Sequence, residues 1–131
     1  MTTVLVDGDA TGQLLVLKEP LSFWGGVDAG SGRIIDRSHH AVGESVTGKI
    51  LFMPHGRGSS SSASVIAETI RNGVGPAGFI LAESDDIVVT GVFVANHLYG
   101  RFVPVMITNI PETPGRTVHL SARGARYVEA E

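Results

Sequence analysis

Cysteine is absent from the 131 residues. That excludes disulfide bonds, thiolate-ligated zinc, a thiol nucleophile and any iron–sulfur cluster ligated by cysteines of this chain. Lysine is scarce, with Lys18 and Lys49 standing against eight arginines, a usage that suits fork-like recognition of carboxylate or phosphate. The net charge of −3 lacks the basic surplus of a nucleic-acid binder. No apolar run approaches the roughly 18 residues a membrane helix needs. The opening MTTVLVDGDATG has no basic segment followed by an apolar core, so no signal peptide is expected there. These absences point to a soluble cytoplasmic protein with no nucleic-acid or membrane partner.

What is present reads as one globular domain over residues 1–131. Hydrophobic residues make up 43% and charged residues 18%, and 17 glycines punctuate short apolar runs, as expected of many short strands joined by tight turns. TVLVD and QLLVL flank Gly8–Gly12 and read as two strands with a turn between them. ILFM, at the end of ESVTGKILFM, is continuously apolar and suggests burial on both faces. Val65, Ile66, Ala67 and Ile70 fit one helical face, with Glu68 and Arg71 toward water and Asn72-Gly73 as a stop. AGFILAE, VPVMIT, RTVHL and the final RYVEAE read as further strands, and IVVTGVFVANHLYG as a strand passing into a short helix at Gly91. The expected class is β-rich α/β, with about eight strands, one helix and a right-handed strand–helix–strand unit between Lys49 and Glu83.

The segment PHGRGSSSSASVIAETIRNG turns from the buried strand straight into that helix. The first N–H groups of a helix have no internal partner, and with the dipole they favour an anion. Gly56 and Gly58 allow close approach to the backbone, Ser59 to Ser62 can cap or donate hydroxyls, and Arg57 offers a charged fork. Serine before a helix is also an ordinary cap, so the pattern alone leaves both readings open. Also open are a non-catalytic anion-binding module that uses the same turn and a regulatory partner domain that docks through its Phe23-Trp24 loop. It completes neither a P-loop nor a dinucleotide-binding fingerprint. Serine chemistry here needs a charge-stabilising setting or a base, and His39, His40, His55, His97 and His119 are the candidates by type. His39 and His40 are adjacent and on a strand would face opposite ways. Asp28 and Asp36 suit ligand orientation or simple turn closure, Trp24 a site cover or a core plug, and Tyr99 and Arg101 an interface or core edge.

The segments PLSFWGGVDAGSGRIID, GKILFMPHGRGSSSSASVIAE and GVGPAGFILAESDDIVVTGVFVANHLYG, in that order, resemble the aconitase X swivel-domain family over nearly the whole chain. Gly56, Gly58, Ser59 and Ser60 match the glycine–serine turn of aconitase-type swivel domains; Ser61 stands where those carry arginine, with Arg57 as its substitute. The resemblance implies a swivelling β/β/α fold and a hydro-lyase whose active site lies between this small subunit and a large one in a heterodimer. It implies an iron–sulfur cluster carried by the large subunit, none bound here, and no metal ligands in this chain. The implied substrate is a small hydroxy acid: cis-3-hydroxy-L-proline, toward which the serine-rich turn leans, or (R)-5-phosphomevalonate. Ser59 aligns with the family's proton-accepting serine. Arg57, Gly58, Ser60, His55 and Trp24 are the implied substrate contacts.

Overall fold

The computed structural model describes residues 2–111 and 113–128. Seven strands and two helices are found among them: β1 (Thr3–Val6), β2 (Ala10–Val16), β3 (Ile50–Met53), α1 (Ser60–Arg71), β4 (Gly78–Leu81), α2 (Asp86–Tyr99), β5 (Val105–Ile107), β6 (Thr117–Ser121) and β7 (Gly124–Tyr127). They form one mixed sheet in the order β1-β5-β4-β3-β2-β6-β7. β2, β3, β4 and β5 run parallel, while β1, β6 and β7 pair antiparallel to their neighbours. The expected final strand ends at Tyr127, and Glu129 to Glu131 lie outside the described residues.

β3 carries apolar side chains to both faces, as its continuous hydrophobicity predicts. Strand alternation sends Leu51, Met53, Phe79, Leu81 and Val105 to one core with Ile66, Ile70, Val88 and Val92 of the helices. Ile50, Ile80 and Met106 point the other way, into a second core with Leu14, Val118 and Leu120. α1 closes as the sequence indicates: Gly73 takes φ +76°, and Gly73 and Val74 donate to the carbonyls of Ile70 and Thr69.

Two expectations are corrected. IVVTGVFVANHLYG lies within α2 from Ile87 to Gly100, the cap. Its β-branched residues carry strand propensity, but Asp85 caps its start and Gly100, left-handed at φ 65°, ends it. Val88, Gly91, Val92 and Ala95 are buried at helical spacing. Gly91 is packed so closely on α1 that a Cβ would lie 2.7 Å from the Ala63 carbonyl oxygen. Helix–helix packing overrides local propensity there.

TVLV and the strand after it do not pair as neighbours. β1 pairs with β5, and β2 with β3 and β6, which sets β1 four places from β2. Four strand spacings span about 19 Å in a flat sheet. The Val6–Ala10 link reaches at most about 15 Å, so the sheet must curl. That curl brings Val118 and Leu120 of β6 over the second core.

Between β2 and β3 the chain makes a long excursion over residues 17–49. Leu17, Leu21, Phe23, Val27, Ile34, Ala41 and Val46 anchor it in the helix-side core. Phe23 packs on Phe79 with ring centroids 6.0 Å apart. A parallel bridge from Leu21 to Gly56 then lays the excursion against the turn that opens α1.

Candidate active site

The Gly56–Ser59 turn leaves the end of β3 and is held from two sides. Below it, the Gly56 N–H donates to Asp85 Oδ2 at 3.0 Å, while Asp85 Oδ1 accepts from the Val88 N–H at 3.0 Å. One carboxylate thus caps α2 and pins the turn. A Cβ on Gly56 would lie 2.9 Å from Asp85 Oδ1 and from Val88 Cγ2. Above it, Gly58 takes φ +107°, and a Cβ there would lie 2.4 Å from Ser62 Oγ and 2.8 Å from Ser22 Oγ. Both positions are thus closed to a side chain by the protein itself, while Gly58 stays exposed to solvent.

Ser59 is the N-cap of α1, and its Oγ accepts from the Ser61 N–H at 3.3 Å. It is exposed, as are Arg57, Gly58, Ser60 and Ser61. No acidic residue occupies the first turn of α1. The peptide dipole and Arg57 therefore leave this helix end electropositive and open to solvent. Among the described residues no histidine hydrogen-bonds Ser59, so no serine–histidine pair is assembled within the chain.

Ser62 differs from its three neighbours. It is 1% exposed, four residues before Ile66 on the buried face, and its Oγ lies 2.9 Å from Ser22 Oγ. It accepts from the Trp24 N–H at 3.3 Å and donates to the Arg57 carbonyl at 3.1 Å. Extending the helical period by one turn toward the N-terminus would have singled it out. These bonds bring Trp24 to the turn while leaving it 65% exposed. The core plug of this loop is Phe23. His55, half-buried on the other flank, has Nδ1 2.6 Å from the Gly56 carbonyl oxygen. A carbonyl only accepts, so Nδ1 is the donor in this contact.

Asp28 and Asp36 close turns. The Ser31 hydroxyl and then the Gly30 N–H hold Asp28 below the ordinary 3.8. The Ser38 hydroxyl and N–H do the same for Asp36, with smaller attraction from His39 and Arg57. Stabilisation from both is fully present above the ordinary carboxylate value and is lost as pH falls through the lowered one.

His39 and His40 sit in a turn instead of a strand, so their rings stack at 4.6 Å rather than diverge, with Glu19 beside them. The three donor groups do not suit a metal ion. His39 Nδ1 accepts from the Ala41 N–H at 3.0 Å, and His40 Nε2 accepts from the Lys18 N–H at 3.1 Å. A neutral imidazole has one such lone pair, so the group clasps the loop to the end of β2. Other candidates lie away from the turn. His97 stacks on Phe93, Arg101 donates to the Arg71 carbonyl, Arg71 lies 5.9 Å from the Tyr99 ring centroid, and His119 meets Thr11. Two surface hollows of about 410 Å³ are lined by β2, β6 or β7 residues and neighbouring loops rather than by this turn.

An aconitase X swivel-domain model matches residues 1–123. The chain belongs to the aconitase X swivel-domain family. The cis-3-hydroxy-L-proline dehydratase of Pseudomonas aeruginosa is 46% identical over 101 residues, 77% of this chain and 17% of that protein. The counterpart from Hypocrea jecorina is 39% identical, with 18% of its length covered. The chain thus spans under a fifth of these relatives. The phosphomevalonate dehydratase small subunit of Methanothermobacter thermautotrophicus is 42% identical over 92 residues, 70% of each chain. A crystal structure of holo-form Thermococcus kodakaraensis aconitase X superposes with a TM-score of 0.84 at 31% identity, covering 96% of this chain and 95% of that one. The aconitase X swivel fold expected from the sequence is therefore the observed one. Among the described residues no helix is long and apolar enough to cross a membrane.

Proposed function

We propose that this swivel domain is the small component of an aconitase X-type dehydratase, with Ser59 as proton acceptor and its site completed by a large subunit. The observation that carries the reading is the α1 N-terminus: an exposed serine cap and Arg57, with no acid in the first turn, on the family's scaffold. Dehydration removes a proton from the carbon next to the one bearing the hydroxyl, forms a double bond and releases the hydroxyl. Ser59 Oγ takes the proton as its alkoxide, which the helix dipole, the Ser61 N–H and Arg57 stabilise. Arg57 and the Ser60 N–H at the start of α1 hold the substrate carboxylate or developing charge. Gly58, Ser60, His55 and Trp24 form the rim.

The large subunit closes over this open rim and excludes water, and the isolated chain is inactive. With no thiolate to ligate iron, this chain does not suit a cysteine-bound iron–sulfur cluster. On this reading the cluster and its cysteines belong to the large subunit in a cytoplasmic heterodimer, and hydroxyl departure lies outside what this chain supplies.

Cis-3-hydroxy-L-proline is the favoured substrate, supported by the 46% identity to a dehydratase named for it. Phosphomevalonate is the second reading, supported by the 42% identity to a small subunit named for that reaction. The test is to reconstitute the heterodimer and follow alkene formation by proton NMR with hydroxyprolines and phosphomevalonate. Turnover of cis-3-hydroxy-L-proline is expected. Turnover of phosphomevalonate alone would transfer the assignment to it, and no dehydration of any of these substrates would refute the reading.

A further inference from the structure

The hydroxyls of Ser22 and Ser62 face three contacts that each need a hydroxyl proton, yet they supply two. Ser62 Oγ lies 3.1 Å from the Arg57 carbonyl oxygen, Ser22 Oγ 3.1 Å from the Trp24 carbonyl oxygen, and the two hydroxyl oxygens are 2.9 Å apart. The Trp24 N–H supplies its own proton to Ser62 Oγ. If both hydroxyls point outward, two oxygens meet lone pair to lone pair. Two self-consistent arrangements remain. In one, Ser22 donates to Ser62 and Ser62 to Arg57; in the other, Ser62 donates to Ser22 and Ser22 to Trp24. The Arg57 contact is part-buried and the Trp24 contact exposed. Water can replace the missing donor at Trp24 but much less readily at Arg57, so the first arrangement is favoured.

We propose that Ser62, with Ser22, is a positioning residue that locks the Trp24 loop to the Arg57–Ser59 turn, so that the two sides of the site's rim move as one body. No other side-chain hydrogen bond among the described residues joins Ser22 or Trp24 to the turn. The glycine at 58 is part of the device, because a side chain there would displace both hydroxyls. The role in turnover rests on the dehydratase reading above; the mechanical coupling does not.

Trp24 is the sole tryptophan, so it reports its own loop. On the full chain, steady-state fluorescence anisotropy and amide exchange at Trp24 would be compared for wild type, Ser62→Ala, Ser22→Ala and the control Ala67→Gly, which loosens α1 away from the two serines. Ser62→Ala is expected to speed Trp24 amide exchange about tenfold, and to lower the anisotropy. Ser22→Ala has the same effect at smaller size, and Ala67→Gly leaves both readouts unchanged. In the reconstituted heterodimer, Ser62→Ala is expected to lower kcat about tenfold with KM within about twofold. The double variant should be no slower than Ser62→Ala alone, because the hydroxyls act as one unit.

Wild-type Trp24 exchange and anisotropy in Ser62→Ala would overturn the coupling, whatever the activity. Equal loss in Ala67→Gly would overturn it too, by reducing it to general loosening, as would strictly additive kcat losses. A wild-type complex that dehydrates nothing would sink the dehydratase reading instead, and the Trp24 measurements would still decide the coupling. If Ser62→Ala fails to fold, Ser22→Ala decides by the same two readouts.

Discussion

α1 and α2 each follow one of two neighbouring parallel strands at the centre of the sheet, β3 and β4. Their N-termini therefore lie side by side at the C-terminal ends of those strands. The two ends are finished differently. α2 is capped by Asp85, whose carboxylate oxygens are both occupied, by the N–H groups of Val88 and Gly56, and Asp86 adds a second acid in the first turn. α1 is capped by Ser59, with one long hydrogen bond at 3.3 Å, no acid in its first turn and Arg57 close by in the chain. The positive end of α2 is neutralised from within. That of α1 is left for something else to neutralise. The contrast distinguishes a helix start closed by carboxylates from one capped only by a serine, and the proposed function rests on that difference.

The comparison can be broken most forcefully at Gly58. An alanine there must adopt φ +107° and also displace Ser62 and Ser22, so Gly58→Ala should cost about 2–4 kcal/mol in a denaturant titration. A cost under about 0.5 kcal/mol would mean that the turn repacks freely. Next comes Asp85→Ala, which removes the α2 cap and leaves the part-buried Gly56 N–H without its partner. About 2 kcal/mol of destabilisation is expected. Ser59→Ala should cost about 1 kcal/mol or less, since its cap bond is long and exposed.

Much of this was legible from residue patterns. The apolar run at Ile50–Met53, the helix through Ile66 and Ile70, its Asn72-Gly73 stop and the serine turn before it all follow from periodicity and cap chemistry. What was not legible is long-range. Whether Val88, Val92 and Ala95 lie on a strand or a helix depends on the close packing of Gly91, between them, on Ala63 and Ile66 of α1, not on their own propensities. The separation of β1 from β2 depends on the curl of the whole sheet. At the site, Ser59 and Arg57 were visible in the turn itself. The partners that hold it, Ser22 from the excursion and Asp85 from the start of α2, come from 36 and 27 residues away from Gly58 in the chain, where no local spacing rule reaches.

A smaller change sharpens the contrast. Ser61→Asp gives α1 the first-turn acid that α2 already has. The isolated chain should gain about 0.3–1 kcal/mol at low salt, a gain that fades as salt is raised. The same variant should weaken substrate binding in the heterodimer, read as a raised KM, because the helix end is then neutralised internally. A stability gain with unchanged KM would show that the α1 terminus takes no anionic group.

The most direct test is turnover of the reconstituted heterodimer carrying Ser59→Ala, measured with the substrate that the wild-type complex dehydrates. Loss of a proton-accepting group predicts a kcat about 10²–10⁴-fold lower, with subunit association intact and a Tm shift of only a few degrees. Wild-type kcat in that variant would contradict the account, because the open cap of α1 would then be as structural as Asp85 is for α2.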